Sequence, residues 1–372
     1  MRFWYGMRFA TLLQSVLRHH DRGAPFNWSA VLTGLAISTL NSTLAPLDRL
    51  IWSRKEAGVV LDPAPLFVLG HWRCGTTYLH ELLALDPRHT CPTTYQCMAP
   101  EHFLLSQGRL RRWLAPDVSG TRPFDKVGVG WDRPQEDEFA LCNLGLPSPY
   151  LFLMFPGGCH DPRAALDLES LGPDGRDRWK EQFARFIKRV APAAPGRRII
   201  LKSPPHTARI PLLRETFPEA RFVHIVRDPV DVVSSMLRLY EVLLPVLRIS
   251  DVQLSEDQLR DHVLGIFGHL VAKLEAARPA LRPGTFAQLR YEDLVADPLG
   301  SMRALYRELA LDDFAPMEGA LRRHLAGAPA GGARRHRPDP ALAALVRHRL
   351  DGYCRRHGYA AANPHRERAD LP

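Results

Sequence analysis

The sequence predicts an α/β protein, a P-loop-like three-layer fold with a central parallel β-sheet and helical insertions. Two observations predict it. Apolar runs of strand length alternate with segments whose apolar residues recur at helical spacing, the pattern of parallel strands joined by crossover helices. The first of these runs ends in a G-x-x-x-x-G turn that leads straight into a helical segment.

In chain order, Leu66-Phe67-Val68-Leu69 reads as a strand and 76–85 as a helix. Arg198-Ile199-Ile200-Leu201 is a second strand, 208–216 a helix stopped by Pro218, 221–226 a third strand, and 230–239 a helix. A fourth strand is expected at 285–289. Gly/Pro chemistry marks turns or loops at 62–65, 172–175 and 327–332. The expected organisation is an N-terminal helical segment over 1–60 and one domain over 61–372, with a helical insertion around 89–195.

A chain of 372 residues, 45% of them hydrophobic, can bury a large core, which excludes wholesale disorder. The formal charge of +9 suits an anionic ligand or an anionic membrane surface. Much of the excess lies in short runs at 109–112, 334–337 and 355–356, and such runs are ordinarily solvated faces. Cys74, Cys91, Cys97, Cys142, Cys159 and Cys354 show no metal-ligand spacing, so reduced thiols in the cytoplasm and no metal are expected.

No charged residue occurs between Pro25 and Leu47, yet Asn, Ser and Thr interrupt the apolar run. A bilayer span needs about 20 mainly apolar residues. The stretch is marginal for that, and with Arg2, Arg8, Arg18 and Arg22 nearby it fits an interfacial helix or a helical layer packed on the core.

The loop Gly70-His71-Trp72-Arg73-Cys74-Gly75-Thr76-Thr77 carries the chemistry. Its glycines let backbone N–H groups turn toward an anion, and the helix start adds unpaired donors with partial positive charge. In a nucleotide triphosphatase a Lys follows the second glycine; here Thr76 stands there, and the permanent cation is Arg73. That shift argues against γ-phosphate hydrolysis.

Arg73-Cys74-Gly75-Thr76-Thr77 resembles the Lys/Arg-Ser-Gly-Thr-Thr loop of the sulfotransferase superfamily, with Cys74 in place of Ser. The resemblance implies that 73–77 bind the phosphosulfate end of 3′-phosphoadenosine 5′-phosphosulfate, and that Arg73 assists departure of the bridging oxygen. The segment 222–235 is similar to the family's 3′-phosphate motif, which implies that Arg227 and Ser235 hold that phosphate. An Arg at a strand end offers forked donors to such a group; Asp228 is alternatively a metal-binding carboxylate of an ATPase. Ile199-Ile200-Leu201-Lys202-Ser203-Pro204 resembles the family strand that ends in a lysine, and Tyr291-Glu292-Asp293-Leu294 the segment whose Tyr lies by the adenine. Arg334–Arg337 resembles the basic loop over the 3′-phosphate, implying Arg335 and Arg337 as contacts.

Transfer to a hydroxyl or amine needs a base beside the nucleophile. The cytosolic small-molecule enzymes have a His after the strand-end Lys-Thr, where this chain has Pro204; the pattern is closer to the tyrosylprotein and bacterial type, which uses Glu. Glu136 is the first candidate, followed by Glu138, His206 and His102, with Lys202 as a further catalytic group. The acidic cluster 136–138 also suits simple helix capping. The acceptor has no motif. Aromatic residues in 89–160, Tyr150 among them, are expected mostly in the core, with some lining an apolar pocket for a small-molecule or lipid acceptor of hydrophobic or amphiphilic character; a carbohydrate or peptide is the alternative acceptor. Peripheral membrane association fits the N-terminus, and no nucleic-acid partner is expected. A P-loop kinase and a non-catalytic nucleotide-binding membrane protein are the rival readings; oligomeric state is not encoded.

Overall fold

The computed structural model describes residues 2–20, 23–108, 111–112, 120–121, 128–158, 162–311, 313–327 and 339–359. Its strands are β1 (Leu66–Leu69), β2 (His89–Thr90), β3 (Gly120–Thr121), β4 (Gly128–Val129), β5 (Arg198–Lys202), β6 (Arg221–Val226) and β7 (Phe286–Arg290). Five of them form one parallel sheet in the order β2-β5-β1-β6-β7, while β3 and β4 pair antiparallel within the insertion.

All four β1 residues are buried, because the strand is central and covered on both faces. Leu66 and Val68 join one apolar core; Phe67 and Leu69 join the core on the opposite face. Phe67 lies opposite Leu201 on one side and Phe222 on the other, so the core pattern fixes the register of three strands at once. These two cores under flanking helices are the three layers.

The expected elements shift at their ends. The last strand runs Phe286–Arg290, and the helix after β6 runs Pro229–Leu247, eight residues beyond the expected end and through Pro245. The stretch 172–175, read as a turn, starts the helix Pro173–Val190 instead: Gly172 is its N-cap and Pro173 opens its first turn, where a missing N–H does no harm.

The N-terminal residues pack on this body. Trp4, Met7 and Leu12 are fully buried, and Trp4 Nε1–H donates to Leu247 O at 2.9 Å. Helix α1 (Phe9–His19) and the long α2 (Trp28–Ala57) follow. Helix α3 (Thr76–Leu83) leaves the C-terminal end of β1, in the middle of the sheet. From the central β1 the chain goes to the edge strand β2, returns to β5 beside β1, and then crosses to β6 and β7 on the other side, so the direction of strand addition switches at β1. Crevices at such reversals are where open α/β sheets take ligands.

Candidate active site

The C-terminal ends of β1, β5, β6 and β7 converge on one site. After β1 the backbone turns through Gly70 (φ 143°), Arg73 (φ 67°) and Gly75 (φ 101°) before α3 begins. No side chain caps α3, so its first-turn N–H groups keep the anion-binding character of a helix start. A Cβ on residue 75 would lie 2.3 Å from the Tyr291 ring, so glycine is required for both the positive φ and the close approach. Tyr291, just after β7, thus forms a wall of the loop, and the Arg227 guanidinium lies 4.3 Å from its ring centroid. Arg227 also donates to Arg73 O at 3.1 Å, and Arg73 Nε–H donates to Ser235 Oγ at 3.0 Å.

On the other side of the loop, Lys202 at the end of β5 reaches in. Its Nζ donates to Thr77 Oγ1 at 3.4 Å and pairs with Glu136 Oε1 at 2.6 Å. The cation that a nucleotide triphosphatase carries within the loop is here supplied from the neighbouring strand. Glu136 Oε2 accepts a short hydrogen bond from Tyr150 OH, whose oxygen accepts from Trp72 Nε1–H at 3.1 Å. Burial, reinforced by the Glu136 carboxylate, pushes the Tyr150 phenol well above its ordinary range, so it remains a donor.

A cavity of about 330 Å³ opens from this polar end. Arg73, Thr76, Thr77 and Glu136 face one end, and Phe3, Phe139, Leu153, Tyr240, Leu243 and Leu247 belong to its apolar wall. An anion-binding loop, paired cations and a carboxylate at the end of an apolar chamber can hold a charged donor against the polar tip of an apolar acceptor.

A family model described as "Sulfotransferase family" matches residues 65–316. The chain belongs to the sulfotransferase family. The omega-hydroxy-beta-dihydromenaquinone-9 sulfotransferase Stf3 of Mycobacterium bovis, and that of Mycobacterium tuberculosis, are 39% identical over 332 residues, covering 87% of this chain and 82% of each relative. Among solved structures, sulfotransferase STF9 from Mycobacterium avium superposes with TM-score 0.71 at 18% identity, covering 94% of this chain and 96% of its own. Sulfotransferase STF1 from Mycobacterium tuberculosis gives 0.66 at 20% identity, covering 92% and 90%. At those identities the two structures bear on the fold alone.

Within this sulfotransferase several expected site residues lie elsewhere. Glu138 is fully buried and holds Arg209 in a two-pronged pair, at 2.5 and 3.2 Å, so it is a structural anion and not a base. His206 is turned inward by the 3₁₀ turn Pro204–Ala208; it bonds Asp137 Oδ2 at 2.5 Å and packs on Phe67 and Phe183. Burial works to raise the Asp137 carboxyl, but the charge and hydrogen bond of His206 and the bond from Ser203 outweigh it and hold it low. His102 is also buried, between Ser106 Oγ at 2.8 Å and Asn41 Oδ1 at 3.1 Å, and ties α2 to the core. Cys74 is in the loop but faces inward: its thiol donates to His71 O at 2.7 Å, and burial pushes it up to about 12. Asp228 caps the Pro229–Leu247 helix by accepting from Val230 N–H at 2.9 Å, so capping accounts for this carboxylate. Arg335 and Arg337 lie outside the described residues.

Sequence reasoning placed Trp72 in the anion-binding loop and Tyr150 among the aromatic residues that could line an acceptor pocket, but missed their hydrogen-bonded link to Glu136. Neither belongs to a motif that names its role, and Tyr150 reaches Glu136 only because 148–150 folds back on the start of the Glu138–Asn143 helix.

Proposed function

We propose that the chain transfers the sulfuryl group of 3′-phosphoadenosine 5′-phosphosulfate to a hydroxyl on an apolar or amphiphilic, lipid-like acceptor. One observation carries this reading: Glu136 and Lys202 meet at the polar end of an otherwise apolar cavity, beside Arg73 and the anion-binding loop. The mycobacterial relatives are named for a hydroxylated menaquinone derivative, an acceptor of this chemical kind.

In the proposed reaction the acceptor oxygen attacks sulfur while the bond from sulfur to the 5′-phosphate oxygen breaks. The departing electron pair stays on adenosine 3′,5′-bisphosphate, and the acceptor proton passes to Glu136. Arg73 and Lys202 offset the charge that develops on the bridging oxygen. Arg227 and Ser235 hold the 3′-phosphate, and Tyr150 orients Glu136. A cytoplasmic site of action belongs to the same proposal, supported by free thiols at Cys74, Cys91, Cys97, Cys142 and Cys354.

Thermal shift tests the donor half. Adenosine 3′,5′-bisphosphate should raise Tm well beyond the effect of ATP with magnesium; equal shifts would remove the donor assignment.

A further inference from the structure

Helix α2 is inside out. Its buried face carries small and polar residues. Gly34 lies so close to Trp4 that a Cβ there would be 2.4 Å from the ring. Asn41 Nδ2 donates to Tyr5 O at 2.7 Å and Met7 O at 3.0 Å, and Asp48 accepts from Leu105 N–H at 2.9 Å and pairs with Arg189. Its outer face is a stripe of large apolar side chains at helical spacing, with Trp28 61%, Leu32 62%, Leu47 49% and Leu50 80% exposed. Helix α1 adds Phe9, Leu13 and Leu17, the last 74% exposed. The exposed surface of a water-facing helix is ordinarily polar, and a contiguous apolar patch marks a surface with a partner.

Three features say what that partner is. The stripe runs into the acceptor cavity: Asn27 N–H donates to Ile249 O at 2.9 Å, seating the start of α2 beside the end of the Pro229–Leu247 helix. On that helix Val242 and Val246 are exposed, and their neighbours Leu243 and Leu247 line the cavity. Basic side chains border the patch. Arg8 and Arg49 remain about two-fifths exposed while paired to the buried Glu101, Arg18 is exposed, and Arg2 holds Val246 O. Glu241 is an acidic neighbour at the rim, and Asp251 is neutralised by Arg248 at 2.5 Å. Finally, α2 has the length and composition of a membrane span, yet its polar face is bonded lengthwise to the protein body, which suits lying in the interface and not crossing.

We propose that α1 and α2 seat this sulfotransferase on an anionic lipid bilayer, with the cavity opening at that surface, so that the acceptor enters sideways from the lipid without crossing water. The proposal rests on the lipid-acceptor reading and adds where the acceptor is collected. The test is co-sedimentation with vesicles of phosphatidylglycerol and phosphatidylethanolamine, against phosphatidylcholine alone, comparing the wild type with the triple variant Leu17→Glu, Leu32→Glu, Leu50→Glu. All three side chains are exposed and none lines the cavity.

The wild type should sediment with the anionic vesicles and the variant should bind at least about 100-fold more weakly. The variant should keep the Tm rise with adenosine 3′,5′-bisphosphate and its turnover on acceptor in detergent micelles, while turnover on vesicle-embedded acceptor falls. The proposal is overturned if the wild type stays in the supernatant, if the variant binds equally well, or if vesicle turnover is unchanged. It is equally overturned if the wild type is a dimer that the variant dissolves, since a second copy then covers the face. Absence of the Tm rise in both proteins would count instead against the donor reading.

Discussion

Glu136 and Glu138 are two residues apart, yet the structure gives them opposite tasks, and replacing each by Gln separates them. In Glu138→Gln the Arg209 guanidinium, fully buried and held by both Glu138 oxygens, keeps its charge and loses its counter-charge. Breaking a buried pair on one side costs about 3–5 kcal/mol. At a few degrees per kcal/mol for a chain of this size, Tm should fall on the order of 10 °C. Glu136→Gln likewise takes the counter-charge from the buried Lys202, but Glu136 lines the open cavity, where water can reach the pair, so its stability cost should be smaller, about 1–3 kcal/mol. Turnover should fall roughly 10²- to 10⁴-fold, the contribution of a positioned base. The assay pairs calorimetric Tm with single-turnover sulfuryl transfer at saturating donor. Near-normal turnover in Glu136→Gln, or a stable Glu138→Gln that has lost only turnover, refutes the assignment.

Arg73→Ala should lower transfer on the order of 10³-fold with most donor affinity retained, whereas Arg227→Ala should weaken adenosine 3′,5′-bisphosphate binding roughly tenfold or more, read by calorimetric titration. Tyr150→Phe removes the proton that holds Glu136 Oε2; kcat should fall about tenfold with the donor KM unchanged, and an unaltered kcat would remove Tyr150 from the site. Acid should unfold the protein steeply. Burial lowers His71, His102 and His224 to about 4 and His80 to about 3, with the Lys202 charge adding to the effect at His80. The unfolded chain takes up protons at these four imidazoles below about pH 6.5 while the native state does not. Stability present above that pH is therefore lost as pH falls toward 4, with a slope near pH 5 of about 5 kcal/mol per pH unit. A flat denaturant midpoint between pH 6.5 and 5 would contradict this.

The sheet was legible because β1, β5 and β6 are buried on both faces and so read as continuous apolar runs bounded by turns. β2 and the β3–β4 pair, two residues each, are too short to leave a periodic signal. Pro245 concealed the last turns of the Pro229–Leu247 helix, since a proline inside a helical pattern ordinarily ends it. Arg73, Lys202, Arg227, Ser235 and Tyr291 were legible from motif positions next to strand ends, and the structure brings them to one place. The other candidate bases were not distinguishable in sequence, because their roles depend on distant partners. Arg209, 71 residues away, claims Glu138, and Asp137, 69 residues away, claims His206. Tyr150 and Trp72 share the reason: a residue that acts on Glu136 through the folded chain leaves no local spacing to read.

The most direct measurement follows labelled sulfur. Enzyme is mixed with 3′-phosphoadenosine 5′-phosphosulfate carrying the label and with hydroxylated apolar acceptors, a hydroxylated menaquinone among them. Products are then resolved by chromatography and mass. The account predicts label in an acceptor that has gained one sulfuryl group, with one adenosine 3′,5′-bisphosphate formed per product and both formed at least about 100-fold more slowly in Glu136→Gln. Label released only as free sulfate, or equal product from Glu136→Gln, would contradict it.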